Sequence, residues 1–68
     1  MELDGPKVRR LREERGLSLR QLAALVPCSA GALSMIETGA RGASPGMAYR
    51  LASELGTSVA ELRTEGEA

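Results

Sequence analysis

Residues 18–39, SLRQLAALVPCSAGALSMIETG, constrain the fold of this chain more than any other stretch. Ser18 and Ser29 are residue types that favour the N-cap of a helix. Pro27 lacks the amide donor that a helix interior needs, and Gly39 suits the left-handed residue at a helix end. The stretch therefore predicts two short amphipathic helices joined by a tight turn.

The same start and stop signals divide the rest of the chain into three more helices. Pro6 and Pro45 suit a first helical turn, and Gly16 and Gly56 suit helix ends. Alternating apolar patterns are absent, so the sequence shows no strand signal. The predicted fold is all-α, with helices at about 6–15, 18–26, 29–38, 45–55 and 59–63.

Apolar residues at helical spacing define the expected core. The chain has 68 residues, enough for one small domain (1–68) with a core of about 6–63. Residues 1–4 are interpreted as a lead-in and residues 64–68 as a frayed tail. The residues expected to face inward are Val8, Leu11, Leu22, Ala23, Val26, Leu33, Ile36, Ala48, Leu51, Ala52, Leu55, Val59 and Leu62.

Composition narrows the functional classes. Histidine is absent and Cys28 is the single cysteine, so neither a disulfide framework nor a zinc site is expected. Because paired carboxylates, phosphate loops and nucleophile–base pairs are also missing, we expect no cofactor, no small-molecule ligand and no enzyme activity. Without an apolar run of about 20 residues or a signal peptide, a cytoplasmic protein without membrane contact is expected.

The charge of the chain is zero overall but unevenly distributed. Residues 7–50 carry eight basic and three acidic side chains, which gives +5, and the acidic residues are concentrated towards both ends. A basic middle is compatible with nucleic acid, because phosphate responds to the local field. Tyr49 is the only aromatic residue, so a base-stacking platform for single strands is excluded.

A longer pattern spans residues 6–63 and keeps its spacing across all five predicted helices. It comprises LREERGLS at 11–18, Leu22-Ala23, Ser29, Leu33, Ile36-Glu37, Gly39, Leu51-Ala52 and Leu55-Gly56. The pattern resembles the phage repressor and Cro type of helix-turn-helix domain, often called the XRE family. The resemblance implies a compact five-helix, lambda-repressor-like fold in which helices 2 and 3 bind DNA.

The resemblance also implies roles for individual residues. Arg12 and Glu37 match positions that form a partly buried ion pair between helices 1 and 3. Helix N-termini suit phosphates, and Arg41 is the best single candidate for a phosphate or minor-groove contact. The expected DNA-binding residues are Ser18, Arg20, Ser29, Ala30, Gly31, Ala32, Ser34, Met35, Thr38 and Arg41.

The chain departs from the family pattern in ways that bear on base recognition. Pro27 replaces the usual turn glycine, so the turn must avoid a left-handed residue. Leu19 stands where many members have glutamine. Major-groove recognition favours Arg, Gln, Asn or Lys, whereas Ala30, Gly31 and Ala32 open helix 3.

Two interpretations follow. In the first, a small repressor-like transcriptional regulator binds double-stranded operator DNA as a homodimer with helix 3 in the major groove, associated with the nucleoid when bound. In the second, helix 3 has become a protein-binding surface, as in an antitoxin-like or regulatory partner. The family includes phage repressors, excision regulators, toxin–antitoxin controllers and host regulators, and the sequence does not choose among them. Exposed apolar residues near Leu62, or Leu25, are candidate dimer contacts, and Cys28 is interpreted as a packing residue.

Overall fold

The computed structural model describes residues 1–63, and five helices account for most of this part of the chain. The all-α fold and the number of helices agree with the sequence prediction, and every boundary lies within about one residue of it. The predicted tail at 64–68 lies outside the described residues. The helices are α1 (Gly5–Glu14), α2 (Leu19–Leu25), α3 (Ala30–Thr38), α4 (Pro45–Leu55) and α5 (Val59–Leu62).

Each helix begins at a side-chain cap. Four caps are serines whose Oγ atoms accept a backbone amide three residues later, at Ser18, Ser29, Ser44 and Ser58. The fifth is Asp4, whose carboxylate accepts the amide of Lys7 at 3.2 Å. The cap at Asp4 places Gly5 inside the helix, so α1 begins one residue before the predicted start at about Pro6.

The core is formed by one side of every helix. Its fully buried large side chains come from α1, α2, α3, α4 and α5, together with the residue that ends α2. Leu62 is fully buried, as expected for a core residue, whereas Leu25 is 46% exposed. The largest fully buried side chains are Val8, Leu22, Val26, Leu33, Leu51 and Leu62.

The first residues of the chain belong to the fold, contrary to their interpretation as a lead-in. Leu3 is only 4% exposed and is part of the core cluster, so the core begins before residue 6. It forms an isolated antiparallel bridge with Arg63, and the Asp4 amide donates to the Leu62 carbonyl at 2.7 Å. A single leucine carries no periodicity, which is why the sequence pattern did not reveal this contact.

No single helix within residues 1–63 is long and apolar enough to cross a bilayer. Taken together, α2 and α3 pass the same length and composition criteria, but their axes turn through 108°. Their most apolar side chains, Leu22, Val26, Leu33 and Ile36, are buried in the core that they share with α1, α4 and α5.

Candidate nucleic-acid interface

The α2–α3 unit is held at a wide angle by a short turn. The turn contains Pro27 and has no left-handed residue, because the only positive φ angles among residues 1–63 belong to Gly16, Gly39 and Gly56. The expectation for the proline turn is thus confirmed. The Cys28 amide donates to the Ala23 carbonyl at 3.0 Å, which ties the turn back onto α2.

An ion pair connects α3 to α1. Arg12 Nε donates to Glu37 Oε2 at 2.7 Å, and Arg12 Nη2 donates to Glu37 Oε1 at 3.1 Å. Arg12 Nη1 also donates to the Leu17 carbonyl at 2.8 Å, so the same guanidinium fixes the segment that leads into α2. Both side chains are buried, and the hydrogen bond with Glu37 raises the pKa of Arg12 above its ordinary value.

The two helices approach closely at this point. Gly5 lies against the last turn of α3, where a Cβ atom would lie 2.6 Å from the Ile36 carbonyl oxygen and closer still to that of Glu37. Since no side chain fits there, glycine sets the separation of α1 and α3. Together with the Arg12–Glu37 pair, this contact fixes the orientation of α3.

The outer surface of α3 is small and mostly apolar. Gly31 and Met35 are exposed, the latter by 45%, whereas Ala32 and Ser34 are half-buried. Ala30 is also half-buried and packs against the core, so it offers little surface to a partner. Ser34 Oγ takes part in no hydrogen bond within residues 1–63, which leaves it available to a polar ligand.

The N-termini of α2 and α3 are capped and exposed. Ser18 Oγ accepts the Gln21 amide at 3.0 Å, and Gln21 Oε1 accepts the Ser18 amide at 2.8 Å, so the capping box is complete. Ser29 Oγ accepts the Ala32 amide at 3.0 Å. Leu19 is half-buried against the core, which explains how an apolar side chain is tolerated beside this exposed end.

The segment after α3 is well fixed. The Met35 carbonyl accepts the amides of Ala40 at 2.8 Å and Arg41 at 3.3 Å, and the Thr38 hydroxyl at 3.2 Å. Gly39 has a φ of 83°, as a left-handed helix end requires. Arg41 is exposed on this hydrogen-bonded segment.

The N-terminal segment braces the same loop. The Ala43 amide donates to the Met1 carbonyl at 2.7 Å, and the Met1 nitrogen donates to the Ala43 carbonyl at 2.7 Å. A Cβ atom at Gly42 would overlap the Met1 carbonyl oxygen. Sequence reasoning missed this positioning role of residues 1–4, since a backbone pairing across about 40 residues has no local signal.

Several basic side chains of α1 are neutralised by carboxylates on α1 or α5. Lys7 pairs with Glu61, and two more pairs form along α1 at spacing i, i+4. Within residues 1–63, four arginines of the basic middle have no carboxylate within 4.0 Å. They are Arg15, Arg20, Arg41 and Arg50.

The exposed charge from residue 15 to residue 53 is therefore entirely positive. The only carboxylate in this range, Glu37, is buried and neutralised by Arg12. The Arg15 guanidinium lies against Gly56 at the C-terminal end of α4, where a cation is favourable. Arg20 and Arg41 thus remain as the exposed cations on α2 and on the loop after α3.

Cys28 lies in the turn just before α3 and is half-buried. Burial raises the pKa of its thiol, and the nearby positive charge of Arg41 opposes part of that shift. Arg41 also lines a shallow depression of about 130 Å³ with Ala32 and Ile36, so its side chain lies alongside α3. Among residues 1–63, no three His, Cys, Asp or Glu side chains are grouped closely enough to hold a metal ion.

These features define a class of protein: two short helices joined by a tight turn, with exposed and unpaired arginines on the first helix and in the loop after the second. The chain belongs to the helix-turn-helix domain family, whose family model matches residues 5–64. No protein with a curated description matches the chain significantly.

Solved structures of XRE-type regulators share the fold. The clp gene regulator ClgR from Corynebacterium glutamicum is 35% identical, with a TM-score of 0.78 over 84% of this chain and 61% of that one. The SinR protein in a complex with SinI protein is 28% identical, with a TM-score of 0.84; the match covers 94% of this chain and 63% of that one. A third structure shows SinR, the master regulator for biofilm formation, in complex with DNA. It is 28% identical, with a TM-score of 0.76, and the match covers 82% of this chain and 90% of that one.

The chain spans about three fifths of the length of the ClgR chain and of the matched chain in the SinR–SinI complex. The similarity to those two proteins therefore concerns the helix-turn-helix part and not their full length.

Proposed function

We propose that this chain is a DNA-binding transcriptional regulator that places α3 in the major groove of operator DNA. Gly31, Ser34 and Met35 would face the base edges, with Ser34 as the hydrogen-bonding side chain and Met35 as an apolar contact to thymine methyls. The exposed arginines and the helix N-termini would contact phosphates. Half-site recognition by a homodimer supplies the affinity that one small domain lacks.

One observation carries this proposal: the exposed charges between residues 15 and 53 are all arginines. Arg20 on α2 and Arg41 after α3 are both exposed, and neither is neutralised within residues 1–63. A phosphate backbone is the partner that such a surface attracts. The similarity to SinR, a protein whose structure is known with DNA, supports the same conclusion.

A specific observation also favours a second candidate function. On the exposed part of α3, Gly31 has no side chain and Met35 has an apolar one. Leu25 at the end of α2 is 46% exposed. Such a surface suits a protein partner, and the matched SinR chain occurs in a complex with another protein. In this alternative, α3 binds a protein instead of DNA bases.

Selection of genomic DNA fragments by the purified chain separates the two functions. The experiment is run at a low and a moderate salt concentration, followed by affinity measurements on the enriched fragments. We expect enrichment of a few fragments sharing a two-fold symmetric motif, with affinity that falls steeply with salt. Absence of enrichment at both salt concentrations, together with a stable complex with another protein, would favour the second function and contradict the first.

A further inference from the structure

The side of α4 that faces away from the core carries an organised set of residues. It lines an open depression of about 380 Å³. Its spacing, i, i+3, i+4, i+7 and i+8, is that of a contact face along one side of a helix. This set, called the outer stripe below, consists of Gly46, Tyr49, Arg50, Ser53 and Glu54.

The outer stripe contains a protruding ring beside a hollow. Tyr49 is the only aromatic residue of the chain, and it is 69% exposed. A second depression, of about 370 Å³, lies directly beside it. Tyrosine is enriched at the centres of protein interfaces, where its ring fills a pocket of the partner. The second depression is lined by Tyr49, Ala52, Ser53, Thr57, Ser58 and Val59.

The fold does not require the glycine at position 46. A Cβ atom there would meet no other atom within 4 Å, and Gly46 does not have a positive φ. Glycine is a poor helix former, so its presence in the first turn of α4 has no internal structural reason. A missing side chain on an exposed helix face allows a second backbone to approach closely.

The charged side chains of the outer stripe form no ion pair within the described residues. Arg9 pairs with Glu13 at 3.1 Å in α1, with the arginine four residues before the glutamate. Arg50 and Glu54 have the same order and spacing, yet they lie more than 4.0 Å apart and contact no other opposite charge within residues 1–63. The stripe therefore presents one free cation and one free anion about one helical turn apart.

We propose that the outer stripe is the surface on which a second copy of this chain docks, with the two α4 helices antiparallel about a two-fold axis. A two-fold interface requires a patch that complements itself. Here Arg50 of each copy faces Glu54 of the other, and each Tyr49 ring enters the hollow beside the other ring. The assignment rests on the proposed function, which requires a dimer, but self-association is measured without DNA.

Two charge reversals test the pairing directly by sedimentation equilibrium. Arg50→Glu and Glu54→Arg, each alone, place like charges opposite each other twice, so we expect each variant to dimerise at least about tenfold more weakly than the native chain. In an equimolar mixture the acidic side chain introduced at position 50 of one variant faces the basic side chain introduced at position 54 of the other, and the native Glu54 of the first variant faces the native Arg50 of the second. The mixture should therefore form a heterodimer with close to native affinity.

Matched controls separate this pairing from changes in net charge or folding. Arg9→Glu and Glu13→Arg make the same charge changes on α1 and should leave self-association unchanged. Tyr49→Ala should weaken the dimer by at least about tenfold, since it removes the ring that fills the hollow. Circular dichroism on every variant verifies that the helices are retained.

Three results would overturn the assignment. They are a native chain that stays monomeric at millimolar concentration, a mixture of variants that fails to recover, and an Arg50→Glu variant that loses DNA affinity while keeping native self-association. The last result would assign Arg50 to DNA. A native chain that dimerises through the stripe but binds no DNA would contradict only the proposed function.

Discussion

Arg12 and Glu37 are joined by two hydrogen bonds, of 2.7 and 3.1 Å, although 25 residues separate them in the chain. Their side chains are only 10% and 6% exposed, and the third guanidinium nitrogen binds the Leu17 carbonyl. One side chain therefore positions both helices of the α2–α3 unit relative to α1. The candidate interface depends on a contact that itself lies away from the exposed face.

Arg12→Ala should destabilise the fold by about 3–5 kcal/mol, because Glu37 would remain as a buried charge without a partner. The free energy of unfolding is measured by urea denaturation. Arg9→Ala is the control, since it removes an arginine of the same helix from an exposed pair and should change stability by less than about 1 kcal/mol. Equal effects of the two substitutions would contradict the structural role of the Arg12–Glu37 pair.

Leu3→Ala should destabilise the fold by about 2–4 kcal/mol, because Leu3 is 4% exposed and its removal leaves a cavity in the core. Leu25→Ala removes the same group from a side chain that is 46% exposed, and it should have an effect of less than about 1 kcal/mol. Thermal unfolding of each variant gives its loss of stability relative to the native chain. If Leu3→Ala proved as mild as Leu25→Ala, residues 1–4 would be the lead-in that the sequence suggested.

Substitutions at Ser18 separate helix capping from phosphate binding. Ser18→Ala should reduce stability by about 1 kcal/mol through loss of the cap, whereas Ser18→Asp keeps a good cap and should reduce it by less. If Ser18 faces phosphate, Ser18→Asp should nevertheless bind DNA much more weakly than Ser18→Ala, because it introduces a negative charge. Unfolding curves and DNA titrations on both variants decide this, and unchanged DNA affinity in Ser18→Asp would remove Ser18 from the interface.

The reactivity of Cys28 reports on the position of Arg41. Burial raises the pKa of the thiol, so alkylation of the folded chain should rise with pH at a higher midpoint than alkylation of the unfolded chain. Arg41 lowers that pKa, so Arg41→Ala should raise the midpoint further and slow the reaction at a fixed pH. A faster reaction in the Arg41→Ala variant would show that Arg41 covers the thiol rather than acting through its charge.

Sequence patterns located the helices because their boundaries depend on local chemistry. Ser44 and Pro45 begin α4 and Gly56 ends it, as the residue types alone predict. The Arg12–Glu37 pair came from the family resemblance and not from spacing, since no local rule connects residues on α1 and α3. The role of Leu3 was missed for the same reason: its partner, Arg63, lies at the other end of the described chain.

The location of the candidate interface was predictable from the sequence, but the pairing of its charges was not. The basic middle of the chain was visible in the sequence, yet the pairing of Lys7 with Glu61 required the folded structure. The structure also shows that Arg20 and Arg41 are exposed and have no carboxylate partner within residues 1–63. The half-buried state of Ala30 likewise depends on its packing against the core, which a helical pattern of small residues does not reveal.

The salt dependence of DNA binding tests the central claim most directly. Affinity for an enriched fragment is measured over a range of salt concentrations for the native chain, for Arg20→Ala/Arg41→Ala, and for Arg9→Ala/Arg10→Ala. The control removes the same charge from α1, where both arginines are paired with glutamates. We expect the first double variant to bind more weakly, with a slope of log affinity against log salt that is smaller by about two, and the control to keep the native slope. Equal slopes for all three proteins would contradict the assignment of Arg20 and Arg41 to the DNA backbone.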